Sequence, residues 1–336
     1  VALWLLDMVR RRQVRLAASP TNGSLIVFCL AAILSFIAGN LPWNYFTSPA
    51  SMATQVGGLA VFLLSAATFL LVGNQIKDMR WLETLTWLFI GLGGLYVAGR
   101  LLPPLGALIF RFYQHGATGS LFWVWLVALA GGQALFNRSL GQGRRAALLL
   151  LAVVTPAVGW FQGRGWASGW LPEMVTLLVL LWLHSPRVGL LATMLGAGYV
   201  LLVRPELPPE VVAGDQYSIF TRQEAWKIIL GQVLPANPLL GLGPANYYHY
   251  TPLYPILGWY VRFNSHNQYV DILAQTGIMG MAAFTWLMTA IGRLGWGLRA
   301  RVGDGFGRAY VNACLAGLAG TLAAGMLGDW FVPFVY

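Results

Sequence analysis

Nine long runs of apolar residues, separated by short polar stretches, dominate the pattern of this chain. Each run is continuously apolar rather than alternating, which indicates membrane-spanning helices and not the strands of a barrel. The runs cover residues 24–39, 56–73, 81–102, 119–136, 145–161, 171–184, 187–203, 277–292 and 309–327. Several are shorter than the roughly 20 residues that a perpendicular span needs, so we expect their ends to extend into the Trp- and Tyr-rich flanks.

The composition agrees with a membrane protein. Of the 336 residues, 57% are hydrophobic and only 10% are charged, whereas soluble domains carry roughly 25% charged residues. The sequence therefore predicts an all-α fold, a polytopic transmembrane helical bundle. The formal net charge of +10 would suggest a nucleic-acid partner in a soluble protein. The cations lie mainly in the predicted cytoplasmic segments, which explains the positive charge without a nucleic acid. No nucleic-acid binding is therefore expected.

The lysines and arginines are distributed unequally between the two sides of the predicted membrane. If the segment that follows Arg10 is cytoplasmic, seven of the 21 cations fall on the outer side and all the others on the cytoplasmic side. The seven are Arg100, Arg111, Arg164, Arg204, Arg222, Lys227 and Arg262. Cytoplasmic loops of membrane proteins carry such an excess of cations, and the pattern therefore predicts this orientation.

The two ends resemble parts of further spans. Val1 opens an apolar stretch that runs into Arg10, whereas a signal peptide carries its charges before its apolar region. We expect this stretch to end an earlier spanning helix and the final residues, FVPFVY, to open another. The chain then divides into an N-terminal transmembrane bundle (1–203), an extracytoplasmic loop (204–265) and C-terminal transmembrane helices (266–336).

One long polar connection, residues 204–265, interrupts the apolar pattern, and long loops in compact proteins usually carry function. Thr221 followed by Glu224 forms a capping-box pattern, so we expect a helix to begin near Arg222 and to end at Pro235. Its apolar face consists of Ala225, Trp226, Ile229 and Val233. A short amphipathic helix of this kind lies on the membrane surface or packs over the bundle.

The residues after this loop combine a histidine with a polar stripe. Asn267, Asp271 and Gln275 recur at intervals of four, which places them on one face of a helix. Polar groups in a membrane helix normally face protein or a water-filled cavity. We therefore expect the stripe to enter the membrane facing inward, with His266 at its outer mouth.

A spaced motif begins at this histidine. His266 and Asn267 are followed by nine residues, Gly277, two residues and Gly280. This pattern resembles the signature of the O-antigen ligase and polymerase family, bacterial membrane glycosyltransferases that use polyprenyl-diphosphate-linked glycans. In a helix, the two glycines permit a bend or a close helix contact.

Two further motifs extend the resemblance over residues 24–327. Arg222 and Trp226 precede the turn NPLLGLGPAN at residues 237–246, as in the family. Residues 163–166, GRGW, are similar to the family's SRGxW element at the outer end of a helix, with Gly163 where the family often has Ser. All three motifs lie on the predicted outer side.

The resemblance implies a GT-C-like bundle whose active site lies on the extracytoplasmic side of the bacterial inner membrane. The donor would be a glycan on polyprenyl diphosphate, and the acceptor hydroxyl would belong to a lipid- or glycan-type partner. We assign the diphosphate to Arg164 and Arg222, because a guanidinium binds phosphate through paired hydrogen bonds. His266 would help to deprotonate the acceptor, since histidine can accept a proton at neutral pH.

Five further residues are assigned to substrate binding: Asn267, Asp271, Arg262, Trp226 and His249. No metal or other cofactor is expected, since two arginines can balance the charge of the diphosphate. The cysteines and histidines also lack the spacing of a zinc site. The resemblance further implies inversion at the anomeric carbon.

The three residues assigned to catalysis also have structural interpretations. Arg222 lies in the first turn of its predicted helix, where a cation opposes the helix dipole, although a snorkelling surface arginine also fits. Arg164 fits an interfacial anchor beside Trp166. His266 fits a hydrogen-bonded residue at a helix entry.

Three of the binding residues have structural alternatives as well. Arg262 fits an anchor among the lipid headgroups. Asp271 fits a residue that orients its neighbours on the entry helix. His249 stands among three tyrosines, Tyr247, Tyr248 and Tyr250, which fit an aromatic belt at the membrane surface.

Two other functions compete with ligation. A polymerase of the same family would join the donor glycan to another lipid-linked repeat, and the same arginines and histidine would serve it. A transporter or channel with an outer vestibule would need ionisable residues deep in the spans, or paired broken helices in two related halves. Glu83 and Arg100 lie near the ends of spans, and the halves show no symmetry.

Overall fold

The computed structural model describes residues 4, 8, 10, 12, 16–43, 46–113, 119–162, 167–203 and 216–328. Twelve α-helices lie in these residues. They are α1 (Thr21–Gly39), α2 (Met52–Gln75), α3 (Met79–Leu101), α4 (Pro103–Tyr113), α5 (Ser120–Phe136), α6 (Gln142–Gln162), α7 (Leu171–His184), α8 (Pro186–Gly198), α9 (Gln216–Ile228), α10 (Tyr247–Tyr250), α11 (Gln268–Arg299) and α12 (Phe306–Gly325).

Each of the nine predicted apolar runs coincides with a helix, and the predicted all-α polytopic fold is confirmed. Within the described ranges, six helical segments are long and apolar enough to cross a membrane: Thr21–Gly39, Met52–Gln75, Met79–Leu101, Gln142–Gln162, Ala167–His184 and Gln268–Arg299. The apolar helix α5 is shorter, with 17 residues. Helix α4 was not predicted. Its first residues, Pro103 and Pro104, interrupt the apolar run but suit the first turn of a helix, where N–H groups need no helical acceptor.

The chain separates into two compact units. The first comprises Val1–Met79, Phe220–Ile291 and Gly328–Tyr336. In it, Leu25 of α1, Ala66 of α2 and Leu287 of α11 form one buried cluster. The Phe28 ring lies 5.6 Å from Phe62 and 5.9 Å from Phe284, centre to centre. These apolar contacts hold α11, the helix that begins just after His266, against α1 and α2.

The second unit comprises Arg80–Ile219 and Gly292–Leu327. Glycines on α5 allow its neighbours to approach closely. A Cβ at Gly131 would lie 2.7 Å from Leu180 of α7, and one at Gly132 would lie 2.7 Å from the Ala313 Cβ of α12. Arg299, the last residue of α11, connects two other helices. It donates hydrogen bonds of 2.6 Å to the Leu183 carbonyl of α7 and to the Asn312 side chain of α12. A cation at the C-terminus of α7 is favoured by the helix dipole.

The amphipathic helix of the long loop exists, but its predicted start is wrong. Helix α9 begins at Gln216, so Thr221 lies inside it and not at its N-terminus. The helical path continues through a π turn, Ile229–Val233, and ends in a 3₁₀ turn, Leu234–Ala236. Pro235, the predicted end, lies in this last turn. Of the predicted apolar face, Ala225, Ile229 and Val233 are buried and Trp226 is partly buried against the same cluster. The division into an N-terminal bundle, an outer loop and C-terminal helices stays a prediction.

Candidate functional site

The polar stripe at the entrance of α11 faces the protein interior, as predicted. The side chains of Asn267, Asp271 and Gln275 are 5%, 0% and 4% exposed. A buried polar group is costly unless it is hydrogen-bonded. Each of the three has protein partners, which fix the residues around His266.

Asn267 sets the start of α11. Its Oδ1 accepts hydrogen bonds from the backbone N–H groups of Tyr269, at 3.0 Å, and Val270, at 3.3 Å. These donors have no acceptor within the helix, so the side chain caps it. The Asn267 N–H in turn donates to Ser265 Oγ at 3.0 Å. Asn267 therefore holds both the helix and the residue that precedes His266.

Asp271 lies one turn further along and organises the same segment. Its Oδ1 accepts hydrogen bonds from the hydroxyl of Tyr247 and from Ser265 Oγ, the latter at 2.7 Å. The Ser265 N–H donates to the Tyr247 hydroxyl oxygen at 3.3 Å. All three residues are fully buried. This Tyr247–Asp271–Ser265 cluster is closed to solvent directly behind the histidine.

His266 itself is exposed, although both of its neighbours in sequence are buried. Its φ is +48°, in the left-handed region where non-glycine residues are uncommon and Asn, Asp and His are enriched. The backbone turn directs the imidazole away from the core that contains Ser265 and Asn267. An exposed imidazole on a rigid base suits proton transfer to or from a bound substrate.

A hydrogen bond connects this segment with α9. The indole Nε1 of Trp226 donates to the Ser265 carbonyl at 2.6 Å. Arg222 lies one helical turn before Trp226, and residues four apart on a helix have Cβ atoms about 5–6 Å apart. The Arg222 side chain is half-buried, with its Nε shielded from solvent. The structure thus brings the α9 face that carries Arg222 to the residue next to His266.

The NPLLGLGPAN turn lies against a break in α11. Gly277 interrupts this helix, with φ +65° and ψ −169°. Four backbone hydrogen bonds join the two segments: Leu242 N to Ala274 O (2.9 Å), Gly243 N to Gln275 O (3.0 Å), Ile278 N to Pro238 O (2.9 Å) and Met279 N to Leu239 O (3.1 Å). A Cβ at Gly277 would lie 2.3 Å from the Leu239 oxygen. Glycine is therefore required at the break.

The far end of the turn is held by side chains. Gln275 Oε1 accepts a hydrogen bond from the Ala245 N–H at 3.0 Å. Asn246 is fully buried; its Nδ2 donates to the Gly39 carbonyl at the end of α1, and its Oδ1 accepts from the Ala50 N–H. These contacts position α10, and with it Tyr247.

His249 and Arg262 lie in a separate cluster beside the site. The Arg262 guanidinium carbon is 6.0 Å from the centre of the Tyr248 ring, which contacts His249 edge to face. Partial burial, and to a lesser extent the charge of Arg262, lower the pKa of His249 from its ordinary value of 6.5. His249 is therefore biased toward its neutral form, in which a ring nitrogen can accept a hydrogen bond.

Arg164 lies outside the described residues, so its convergence with Arg222 and His266 stays a prediction. The helical segments on either side are described. Helix α6 ends at Gln162, and a 3₁₀ turn begins at Ala167. The rings of Trp160 and Trp170 meet edge to face with centres 4.7 Å apart.

Sequence reasoning missed Ser265 and Tyr247. The aromatic-belt interpretation of the tyrosine run is wrong for Tyr247, which is 0% exposed and bonded to Asp271. Asp271 was predicted to face inward, and a buried carboxylate requires hydrogen-bond donors. That requirement could have directed the search to nearby hydroxyl groups such as those of Ser265 and Tyr247. Within the described ranges, no three His, Cys, Asp or Glu side chains assemble as a metal-ligand set.

The fold and these contacts define a multi-pass helical membrane protein in which a histidine follows a buried polar network and an arginine lies one helical turn from the tryptophan that bonds to that segment. A family model described as O-antigen ligase matches residues 117–285, half of the chain. The chain belongs to this O-antigen ligase family and is a membrane protein of lipopolysaccharide biosynthesis, involved in O-antigen ligation or polymerisation. No curated protein matches it. The family resemblance deduced from the three motifs is confirmed.

Proposed function

We propose that this protein is a glycosyltransferase of the ligase type, which moves a glycan from polyprenyl diphosphate to an acceptor hydroxyl at the outer face of the bacterial inner membrane. The observation that supports this most directly is the hydrogen bond between Trp226 and Ser265. It ties the helix that presents Arg222 to the segment that presents His266. A cation for phosphate and a proton acceptor are the two groups that this transfer requires.

The reaction is a single displacement. The acceptor oxygen attacks the anomeric carbon, its proton passes to His266, and the bond from the anomeric carbon to the diphosphate oxygen breaks. Polyprenyl diphosphate leaves with the bonding electrons, and Arg222 and Arg164 stabilise its growing negative charge. Attack opposite the leaving group inverts the anomeric carbon. The two guanidinium groups take the charge-balancing role that a metal ion has in other phosphate chemistry.

The residues assigned to substrate binding divide into two groups. Trp226, His249 and Arg262 are partly or fully exposed and can contact the glycan or its carrier phosphates. Asn267 and Asp271 are buried and act on substrate through the segment that they hold. In this proposal the donor lies over the exposed imidazole of His266, with the Tyr247–Asp271–Ser265 cluster behind it.

Alanine variants with a matched control test the proposal. We expect Arg222→Ala and His266→Ala to lower transfer by about 100- to 1,000-fold each, while both proteins still insert in the membrane. Lys227→Ala removes a cation from the same helix, an exposed one that pairs with Glu224 at 3.3 Å, and should retain activity. Transfer is measured with purified protein and a lipid-linked glycan. Normal transfer by the Arg222 or His266 variant would overturn the assignment.

A polymerase of the same family is the second candidate, because the family match covers both ligation and polymerisation. The same arginine and histidine chemistry would then join the donor glycan to a second lipid-linked repeat. Product analysis separates the two functions. A ladder of lengths on the carrier lipid indicates polymerase, whereas a single glycan on a separate acceptor indicates ligase.

A further inference from the structure

A short hairpin of apolar residues projects from the first unit. Ile256 and Trp259 exchange two backbone hydrogen bonds of 2.9 Å, which close a two-residue turn at Leu257 and Gly258. Both turn residues have positive φ, +50° and +88°, as a type I′ turn requires. Ile256, which is 7% exposed, anchors the hairpin in the apolar cluster that surrounds α9.

Beyond this anchor, six consecutive residues, 257–262, are exposed. Trp259 and Tyr260 are each 69% exposed, and Leu257 and Val261 are 45% and 46% exposed. Turns of this type normally carry Asn, Asp or Gly at the first position, and a bulky side chain there is strained. The chain thus places an exposed leucine where a polar residue would be more stable. Contiguous exposed apolar residues mark an interaction surface, and backbone strain often accompanies function.

The composition of the hairpin discriminates between partners. Residues 255–262, PILGWYVR, contain no Asp, Asn, Glu, Gln, Ser or Thr, the side chains best suited to hydrogen-bond sugar hydroxyls. Tryptophan and tyrosine instead favour the boundary between lipid hydrocarbon and headgroups. Arg262 adds an exposed cation at the end of the same run, which complements a lipid phosphate. This combination fits a phospholipid surface better than a glycan.

The position of the hairpin agrees with such a partner. Only five residues separate Arg262 from the start of α11 at Gln268, and α11 is long and apolar enough to cross a membrane. We propose that residues 257–261 insert into the phospholipid headgroup region on the side where α11 begins. The hairpin then anchors the loop that carries Arg222 and His266 at the depth of lipid-borne phosphates.

An environment-sensitive label tests this in the full chain, reconstituted in nanodiscs of phosphatidylcholine and phosphatidylglycerol. Cys29 and Cys314 are replaced by Ala, and a single thiol is introduced by Trp259→Cys, Tyr260→Cys or Lys227→Cys and labelled with NBD. Position 227 is the control, because the Lys227 side chain is 74% exposed on α9 of the same unit. We expect doxyl-labelled phospholipid to quench the label at 259 or 260 at least about twofold more than at 227. Aqueous iodide should show the reverse order.

Equal quenching by iodide at all three positions would overturn the proposal. Protection of the label at 259 and 260 from both quenchers would also overturn it, since protein would then cover the hairpin. Nanodiscs that hold one chain each would then identify the covering protein. Protection that persists in them comes from another segment of the same chain, and protection that disappears comes from a second copy. The readout needs no glycan, so its failure and the failure of the transfer reaction are distinguishable.

Discussion

The hydroxyl of Tyr247 donates a hydrogen bond to the carboxylate of Asp271 in a fully buried cluster behind His266. The same hydroxyl oxygen accepts the N–H of Ser265. One phenol therefore connects the entry helix, the residue before the histidine and the short helix that follows the NPLLGLGPAN turn. Asp271, assigned to substrate binding from sequence, has in these contacts a positioning role.

Removal of this hydroxyl should displace His266 while leaving the packing intact. We expect Tyr247→Phe to cost about 1–3 kcal/mol of stability, because a buried carboxylate loses a donor, and to lower kcat by roughly ten- to a hundredfold through misplacement. Tyr250→Phe is the matched control, since Tyr250 is 4% exposed on the same helix. Thermal unfolding in detergent and transfer assays measure both. Equal effects of the two substitutions would contradict a positioning role.

Replacement of glycine in α11 should have opposite effects at two positions. Gly277→Ala introduces a Cβ 2.3 Å from the Leu239 oxygen at a positive φ, so we expect a loss of more than about 3 kcal/mol. At Gly292 a Cβ meets only an ordinary contact at 3.9 Å. Gly292→Ala should therefore raise stability by roughly 0.5–1 kcal/mol, because alanine favours the helix. Unfolding temperatures that change in the same direction would refute this.

The indole hydrogen bond between α9 and the His266 segment should matter for catalysis more than for stability. Trp226→Phe keeps an aromatic ring but removes the donor to Ser265. We expect kcat to fall about tenfold, equivalent to the roughly 1.4 kcal/mol that one hydrogen bond contributes, with KM little changed. Trp43→Phe loses a similar bond, of 2.7 Å to the Ala38 carbonyl, which does not involve the residues next to His266. If that variant loses as much activity as Trp226→Phe, the link is not specific.

His249 should make stability depend on pH in a defined direction. Because burial and Arg262 lower its folded-state pKa below the ordinary value of 6.5, the unfolded chain binds a proton more readily than the folded one. Stability is then full above pH 6.5 and declines as pH falls toward the lowered pKa. We expect His249→Gln to reduce the drop in unfolding temperature between about pH 7.5 and about pH 5. An identical drop in wild type and variant would contradict this assignment.

The sequence predicted the helices well because hydropathy alone determines a spanning segment. It predicted the inward polar stripe at Asn267, Asp271 and Gln275 because a period of four leaves little ambiguity. The start of α9 was misplaced, because the spacing of Thr221 and Glu224 occurs inside a helix as readily as at its N-terminus. Tyr247 was missed because a run of aromatics resembles a membrane belt until its buried partner is known. The glycine at position 277 signalled a bend, but the segment that bonds to it could not be predicted, because those bonds join backbone groups.

The break in α11 restricts which changes this region can accept. Pro238 and Leu239 bond to it through backbone carbonyls while their side chains remain exposed. Any amino acid supplies a carbonyl, so the side chains at positions 238 and 239 can be exchanged at little cost. Insertion or deletion of a single residue would shift the register and leave several peptide groups unmatched beside a membrane helix. At positions 238 and 239 the chain is thus specified by the number of its residues more strictly than by their identity.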